Sequence, residues 1–300
     1  MNMKKLMCNA RTIIAMAATV ISTNAAANAA YKFVQLNVPG ASYTSANGIS
    51  NDDIVVGTYS DSAGSHAFTY DIKTKVYTYP ISDPKGPNGT AGNSINTSGN
   101  IVGAYQSVQG QDSGMVDQGG SFSDFNMTGC LDTVMTGNND GNETVGYCQY
   151  QSTVDNTYHY EAWVNVFDAF TFQCPGAIDT SAFAFNNNGE VVGFYDSNSM
   201  GPIHGFLAGF GTCSLTIDYP GAFLTILTGI NDAGTILGHW SGFDGPSSAF
   251  LYYDGSFFDI VAPPAAKQGI TTGQINNKGW FVGTFYDHLG TGHTFYARPN

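Results

Sequence analysis

Basic residues are scarce in this chain: ten Lys and Arg stand against 23 Asp and Glu, a net charge of −13. Three of the ten, Lys4, Lys5 and Arg11, lie in an N-terminal segment that holds no acidic residue. The remainder therefore carries seven against 23, a net −16, and Arg298 is its sole arginine. Nucleic-acid binding needs clustered Lys and Arg to neutralise phosphates, and no such cluster exists. Phosphorylated or sulfated substrates are disfavoured on the same ground, as is a sialidase-like site that clamps a carboxylate with several arginines. Neutral or cationic partners fit the balance.

Glutamate is scarcer still, with only Glu143, Glu161 and Glu190. Glu143 and Glu190 occupy equivalent turn-to-strand positions, so a glycosidase-like carboxylate pair would need aspartates. The chain has no G-x-S-x-G, no H-E-x-x-H, no phosphate-binding glycine loop and no G-x-G-x-x-G. No C-x-x-C or paired histidine pattern suggests zinc. No apolar run reaches the roughly 20 residues of a spanning helix.

The first 29 residues read as a secretory signal, with a basic start, an apolar stretch from Ile13 to Ile21, and Ala27-Asn28-Ala29 as the cleavage segment. Residues 30–300 are then expected to form one exported domain, extracellular or periplasmic. Cys8 leaves with the signal, and Cys130, Cys148, Cys174 and Cys213 remain as disulfide candidates in an oxidising compartment. Four cysteines allow three pairings and sequence does not choose among them; Cys130–Cys148 with Cys174–Cys213 is the preferred one.

Against these absences stands a repeat. An Asn-rich turn, two or three apolar residues and a glycine return six times, closing at Gly57, Gly103, Gly146, Gly193, Gly238 and Gly283, separations of 46, 43, 47, 45 and 45 residues. A period near 45 built of short strands predicts β-propeller blades. The fifth unit shows four runs bounded by turn residues: one ending at Thr228-Gly229-Ile230, then Thr235 to Trp240, Ser248 to Tyr252 and Ser256 to Ile260. The last unit stops after its third strand, His293 to Ala297. Its missing strand is supplied by Phe33 to Ala41, which matches Leu215 to Ala222. The expected fold is all-β: a six-bladed propeller of four-stranded blades, closed by the N-terminal strand, with a pair of β-trefoils as the rival.

The third strands open with His66-Ala67-Phe68, His204-Gly205-Phe206 and His293-Thr294-Phe295, with Ser248-Ala249-Phe250 a variant. With the Ile-Asn-x-x-Gly-x-Ile-Val-Gly phrase, these resemble the bacterial extracellular HAF-repeat family. The second and third units depart from it, with Gly114-Met115-Val116 and Tyr160-Glu161-Ala162 at the triplet. The resemblance implies a secreted repeat protein and brings no activity with it.

The loops between second and third strands share a face with those entering the next unit, which makes that face the candidate ligand surface. Its residues are Tyr59, Asp61, Tyr195, Asp196, Trp240, Asp244, Tyr286 and Asp287. The aspartates recur once per unit and are read first as loop-shaping groups. Calcium is their sharper alternative: Asp196-Ser197-Asn198 with Gly201 resembles a calcium loop, but Met200 and Leu207 stand where ligands belong. The repeated histidines are read as one structural bond made in each unit. Loop aromatics could form platforms for sugar rings. No cofactor is required, and the catalytic and metal residues are left unassigned. The expected role is a binding module for an extracellular glycan or protein partner; the alternative is a carbohydrate-active lyase, lactonase or hydrolase.

Overall fold

The structure is a computed structural model that describes residues 29–198 and 201–300. The signal segment, apart from Ala29, and Met200 lie outside the described residues. No helix occurs among the described residues, and none is long and apolar enough to cross a membrane.

Alternating apolar and polar positions between Asn, Asp and Gly turns produce 24 strands. Strand β1 is Tyr31–Gln35. The first unit follows with β2 Tyr43–Ile49, β3 Ile54–Asp61, β4 Gly64–Asp71 and β5 Val76–Ile81. The second holds β6 Gly89–Ile95, β7 Ile101–Gln106, β8 Asp112–Gln118 and β9 Ser121–Phe125. The third holds β10 Asp132–Asn138, β11 Thr144–Gln151, β12 Tyr158–Asn165 and β13 Ala169–Phe172. The fourth holds β14 Asp179–Phe185, β15 Glu190–Asp196, β16 Ile203–Gly209 and β17 Thr212–Ile217. The fifth holds β18 Leu224–Ile230, β19 Ile236–Ser241, β20 Ser248–Tyr253 and β21 Ser256–Asp259. Strands β22 Ile270–Ile275, β23 Phe281–Tyr286 and β24 Gly292–Pro299 complete the chain.

The strands form a propeller-like arrangement of sequential antiparallel sheets, not the hairpin barrels of trefoils. Instead of six separate sheets there are four of four strands and one of eight. The eight-stranded sheet arises because the starts of β16 and β18 meet: Ile203 N–H donates to the Phe223 carbonyl at 3.0 Å and Ile203 pairs Leu224 in a single parallel bridge. Strand β1 is the fourth strand of the last sheet, running from Tyr31 opposite Pro299 to Gln35 opposite Phe295. Leu36 N–H then donates to the Thr294 carbonyl, and Leu36 and Val38 are buried in the core of the first unit.

The repeated glycine has a geometric cause. Each closing glycine pairs directly with a large apolar residue of the third strand: Phe68, Met115, Trp163, Phe206, Phe250 or Phe295. All six are fully buried, each contributing roughly 1.5–3 kcal/mol of apolar burial. On the other side the glycine faces a bulge of the first strand, as between Ala182 and Ala184 opposite Gly193. The triplets expected in the second and third units therefore shift by one, to Ser113-Gly114-Met115 and Glu161-Ala162-Trp163, because Met115 and Trp163 take the place over the glycine.

Of the three cysteine pairings, the chain has Cys130–Cys148 and Cys174–Cys213, with Cα separations of 5.6 and 5.3 Å. Two disulfides are the chemistry of an oxidising compartment.

Candidate functional site

The first strands of all six units contribute walls to one central cavity of about 320 Å³. On one side it is closed by the Asn-rich turns, which bond to one another in two tiers. In the inner tier each turn asparagine donates its side-chain N–H to the equivalent carbonyl of the next unit: Asn96 to Asn139, Asn139 to Asn186, Asn186 to Asn231, Asn231 to Asn276, and Asn276 to Ser50, at 3.0–3.3 Å. In the outer tier the backbone N–H groups of Asp140, Asn187, Asp232 and Asn277 donate to the side-chain oxygens of Asn187, Asp232, Asn277 and Asn51. The carboxylates of Asp140 and Asp232 are spanned by Asn187 Nδ2, at 3.1 and 2.8 Å. The hollow among these turns is only about 60 Å³.

Beneath the turns one side chain breaks the repeat. Aligned on the turn, Gly48, Ser94, Gly137, Ala184 and Gly229 are small, and the sixth unit has Gln274. Its Oε1 accepts from Ser94 Oγ at 2.9 Å, and its Nε2 donates to the carbonyls of Thr136 and Phe183 at 3.0 and 3.4 Å. A Cβ on Gly48 would stand 2.9 Å from Gln274 Oε1, so the small column makes room for the one long amide. Gln274 thus bridges four units and floors the cavity.

The walls carry hydroxyls, amides and one aromatic ring. Asn47, Asn93, Thr136, Phe183 and Thr228 occupy one column, and Phe183 is its single aromatic. Asn93 Nδ2 donates to the Met135 carbonyl at 2.8 Å, and Thr136 Oγ1 donates to that of Ala182. Thr228 and Thr272 share a hydroxyl bond at 2.8 Å. Thr272 N–H donates to His239 Nδ1, whose Thr272 Oγ1 contact is 3.1 Å. The proton of the neutral ring is therefore on Nε2. His239 is the sole titratable residue of the lining, and it replaces Thr58, Ala104, Tyr147, Phe194 and Thr284 of the other units.

Burial lowers the His239 pKa from the ordinary 6.5 to about 4. The unfolded chain then binds more protons between those values, so His239 makes stability fall as pH drops from about 6.5 towards 4. His239→Gln should remove that part of the slope. Chemical denaturation of both proteins at pH 7 and pH 5 reads it: the wild type should lose more on acidification than the variant.

None of the eight loop candidates lines this cavity. Tyr59 is buried at 2 % exposure in the first unit's core. Asp61 Oδ1 accepts from Ala63 N–H and faces His66 Nε2 at 3.7 Å. Asp287 accepts from the amides of Leu289 and Thr291 and pairs with His293 Nε2 at 3.0 Å, which holds its carboxyl at about 2. The same device recurs as Asp155 with His159 and, from just beyond the fourth strand, Asp218 with His204. Tyr195 stacks on His204, and Trp240 lies parallel to Tyr219 at 4.3 Å. Burial beside Asp179 raises the Asp196 pKa. Asp244 is exposed, and Tyr286 half-buried. Among the described residues no three His, Cys, Asp or Glu side chains converge as metal ligands.

Gln274, His239 and Phe183 were missed by sequence reasoning that followed what the units share. Their signal is the opposite one: each departs from its own column of the repeat.

No family model matches the chain, and no curated protein does. Solved structures do. AofleA from Arthrobotrys oligospora superposes with a TM-score of 0.54 at 12% identity, covering 88% of this chain and 85% of that one. A gluconolactonase from Xanthomonas campestris gives 0.52 at 9%, covering 90% and 89%. The Aleuria aurantia lectin, in complex with a fucosylated GlcNAc, gives 0.52 at 10%, covering 86% and 93%. At such identity the likeness concerns the propeller fold alone.

Proposed function

We propose that this chain is an exported six-bladed propeller, closed by β1, of the HAF-repeat kind, and that it is a binding module for neutral extracellular carbohydrate. Six sequential repeat units, four of them separate four-stranded sheets and two joined in one eight-stranded sheet, the Asn276-to-Ser50 bond from last to first, and the β1–β24 pairing support the ring. The observation that carries the function is the central cavity, lined by hydroxyls, amides, His239 and the apolar side chains of Ala46, Ile226 and Phe183, without a charged side chain. Such a lining matches uncharged hydroxyls and the apolar face of a sugar ring. A lectin among the structural likenesses is in keeping with this reading.

The rival reading, a lyase, lactonase or hydrolase, calls on a convergent acid and base. The lining contributes one titratable group, His239, to that pair.

A glycan array probed with the purified protein, with calcium and with chelator, tests the binding reading. Retention on neutral glycans is the expected result, and it should persist at pH 5, where His239 is still uncharged. Retention on sulfated or sialylated glycans alone, or on none, overturns it. Loss under chelation would assign calcium to the loop aspartates.

A further inference from the structure

The cavity has a floor, and the floor limits what can enter. Gln274 spans from the last unit to Ser94, Thr136 and Phe183 in the second, third and fourth. Behind it the turn asparagines are bonded unit to unit. A polymer therefore has no way through the centre of the molecule.

We propose that the central cavity is a blind-ended site for one uncharged terminal sugar, either a free monosaccharide or the end of a glycan, and that each chain binds one. This rests on the carbohydrate-binding reading above and adds where and how the ligand is held. At about 320 Å³ the cavity is at the small end of ligand sites, which run from roughly 300 to 1,000 Å³. That is room for one ring rather than several. The walls are also unequal, as a single oriented ligand requires. Phe183 offers the one aromatic face, and in a ring of six its unit lies opposite that of Asn47. His239 keeps its Nε2–H free of any protein acceptor among the described residues, while Nδ1 is held by Thr272. Asn93 commits its Nδ2 to Met135 and leaves its side-chain oxygen as an acceptor.

The loops supply the contrast. Their aspartates recur from unit to unit, and sites built on them would be several per chain. Those of Asp61, Asp155 and Asp287 are already taken up by loop amides and by histidines of the same unit.

The test uses the full exported protein and the methyl glycoside of the terminal sugar of the best-retained array glycan. Calorimetry should give one glycoside per chain, and the glycoside should compete fully with the parent glycan. Phe183→Ala and His239→Gln should each weaken binding tenfold or more, and Asp244→Ala should leave it unchanged. Thermal unfolding of each variant identifies those that remain folded; if Phe183→Ala does not, His239→Gln carries the comparison. A stoichiometry of several per chain, or binding that survives the cavity variants and falls with Asp244→Ala, overturns the blind-site proposal and leaves the binding module standing. Silence of every neutral glycan on the array overturns both.

Discussion

Replacing Gly193 by alanine is expected to cost about 4 kcal/mol or more, enough to remove most of the stability of an ordinary domain. A Cβ there would overlap the Ser181 carbonyl oxygen and stand 2.9 Å from both Ala182 Cα and the Phe206 ring. Neither side can yield cheaply. Ser181 belongs to the backbone of the inner strand, and Phe206 is fully buried between sheets. Gly209, at the end of the neighbouring strand, has nothing within 4 Å of its would-be Cβ and serves as control. Gly209→Ala should change stability by about 0.5 kcal/mol or less. Guanidinium denaturation of the two variants decides the matter. Equal midpoints would show that the glycine is not a seat for the third-strand ring.

The second large effect is expected from the disulfide between Cys174 and Cys213. It joins the segment between β13 and β14 to β17, and so ties the third unit to the fourth across 39 residues. Loop-closure entropy for that length gives about 4 kcal/mol, against about 3 kcal/mol for the 18-residue separation of Cys130 and Cys148, which joins the segment between β9 and β10 to β11. Replacing Cys174 and Cys213 together by alanine should lower the unfolding free energy by about 3–4 kcal/mol. Adding reductant to that variant should cost less than adding it to the wild type, since only Cys130–Cys148 is left to break. A loss under 1 kcal/mol would mean that packing between the third and fourth units holds them without the link.

Much of the fold was legible because the repeat states the same physics six times. Asn and Gly at the turns and glycine at the bulge need only the chain's own spacing to be found, and the fifth unit's strands fall within a residue or so of their expected bounds. The N-terminal strand was legible as the missing member of an incomplete unit, although its pairing ends at Gln35, earlier than expected. The triplets of the second and third units were read out of register because Met115 and Trp163 replace phenylalanine, and the motif rather than the volume was followed. The loop candidates were chosen by position at a face. The structure ties up several of the loop aspartates within the loops, and the cavity is lined mostly by first-strand side chains, none of them from those loops. Gln274 looks like one more polar residue near a turn until the five small residues in its column are set beside it.

The pairing of β1 with β24 also sets the order of assembly. Tyr31–Gln35 leaves the ribosome early, but its partner Gly292–Pro299 follows all the other described strands. Until then the last sheet lacks its outer strand, and Leu36 and Val38 have no Thr294 carbonyl beside them to anchor their approach to the first unit. Contacts spanning nearly the whole chain are slow to form, because loop closure precedes the gain. Completion must therefore follow synthesis of the C-terminal strand, and the intermediate that waits for it exposes a bare strand edge. Unpaired edges of this kind are where unfinished chains pair with one another.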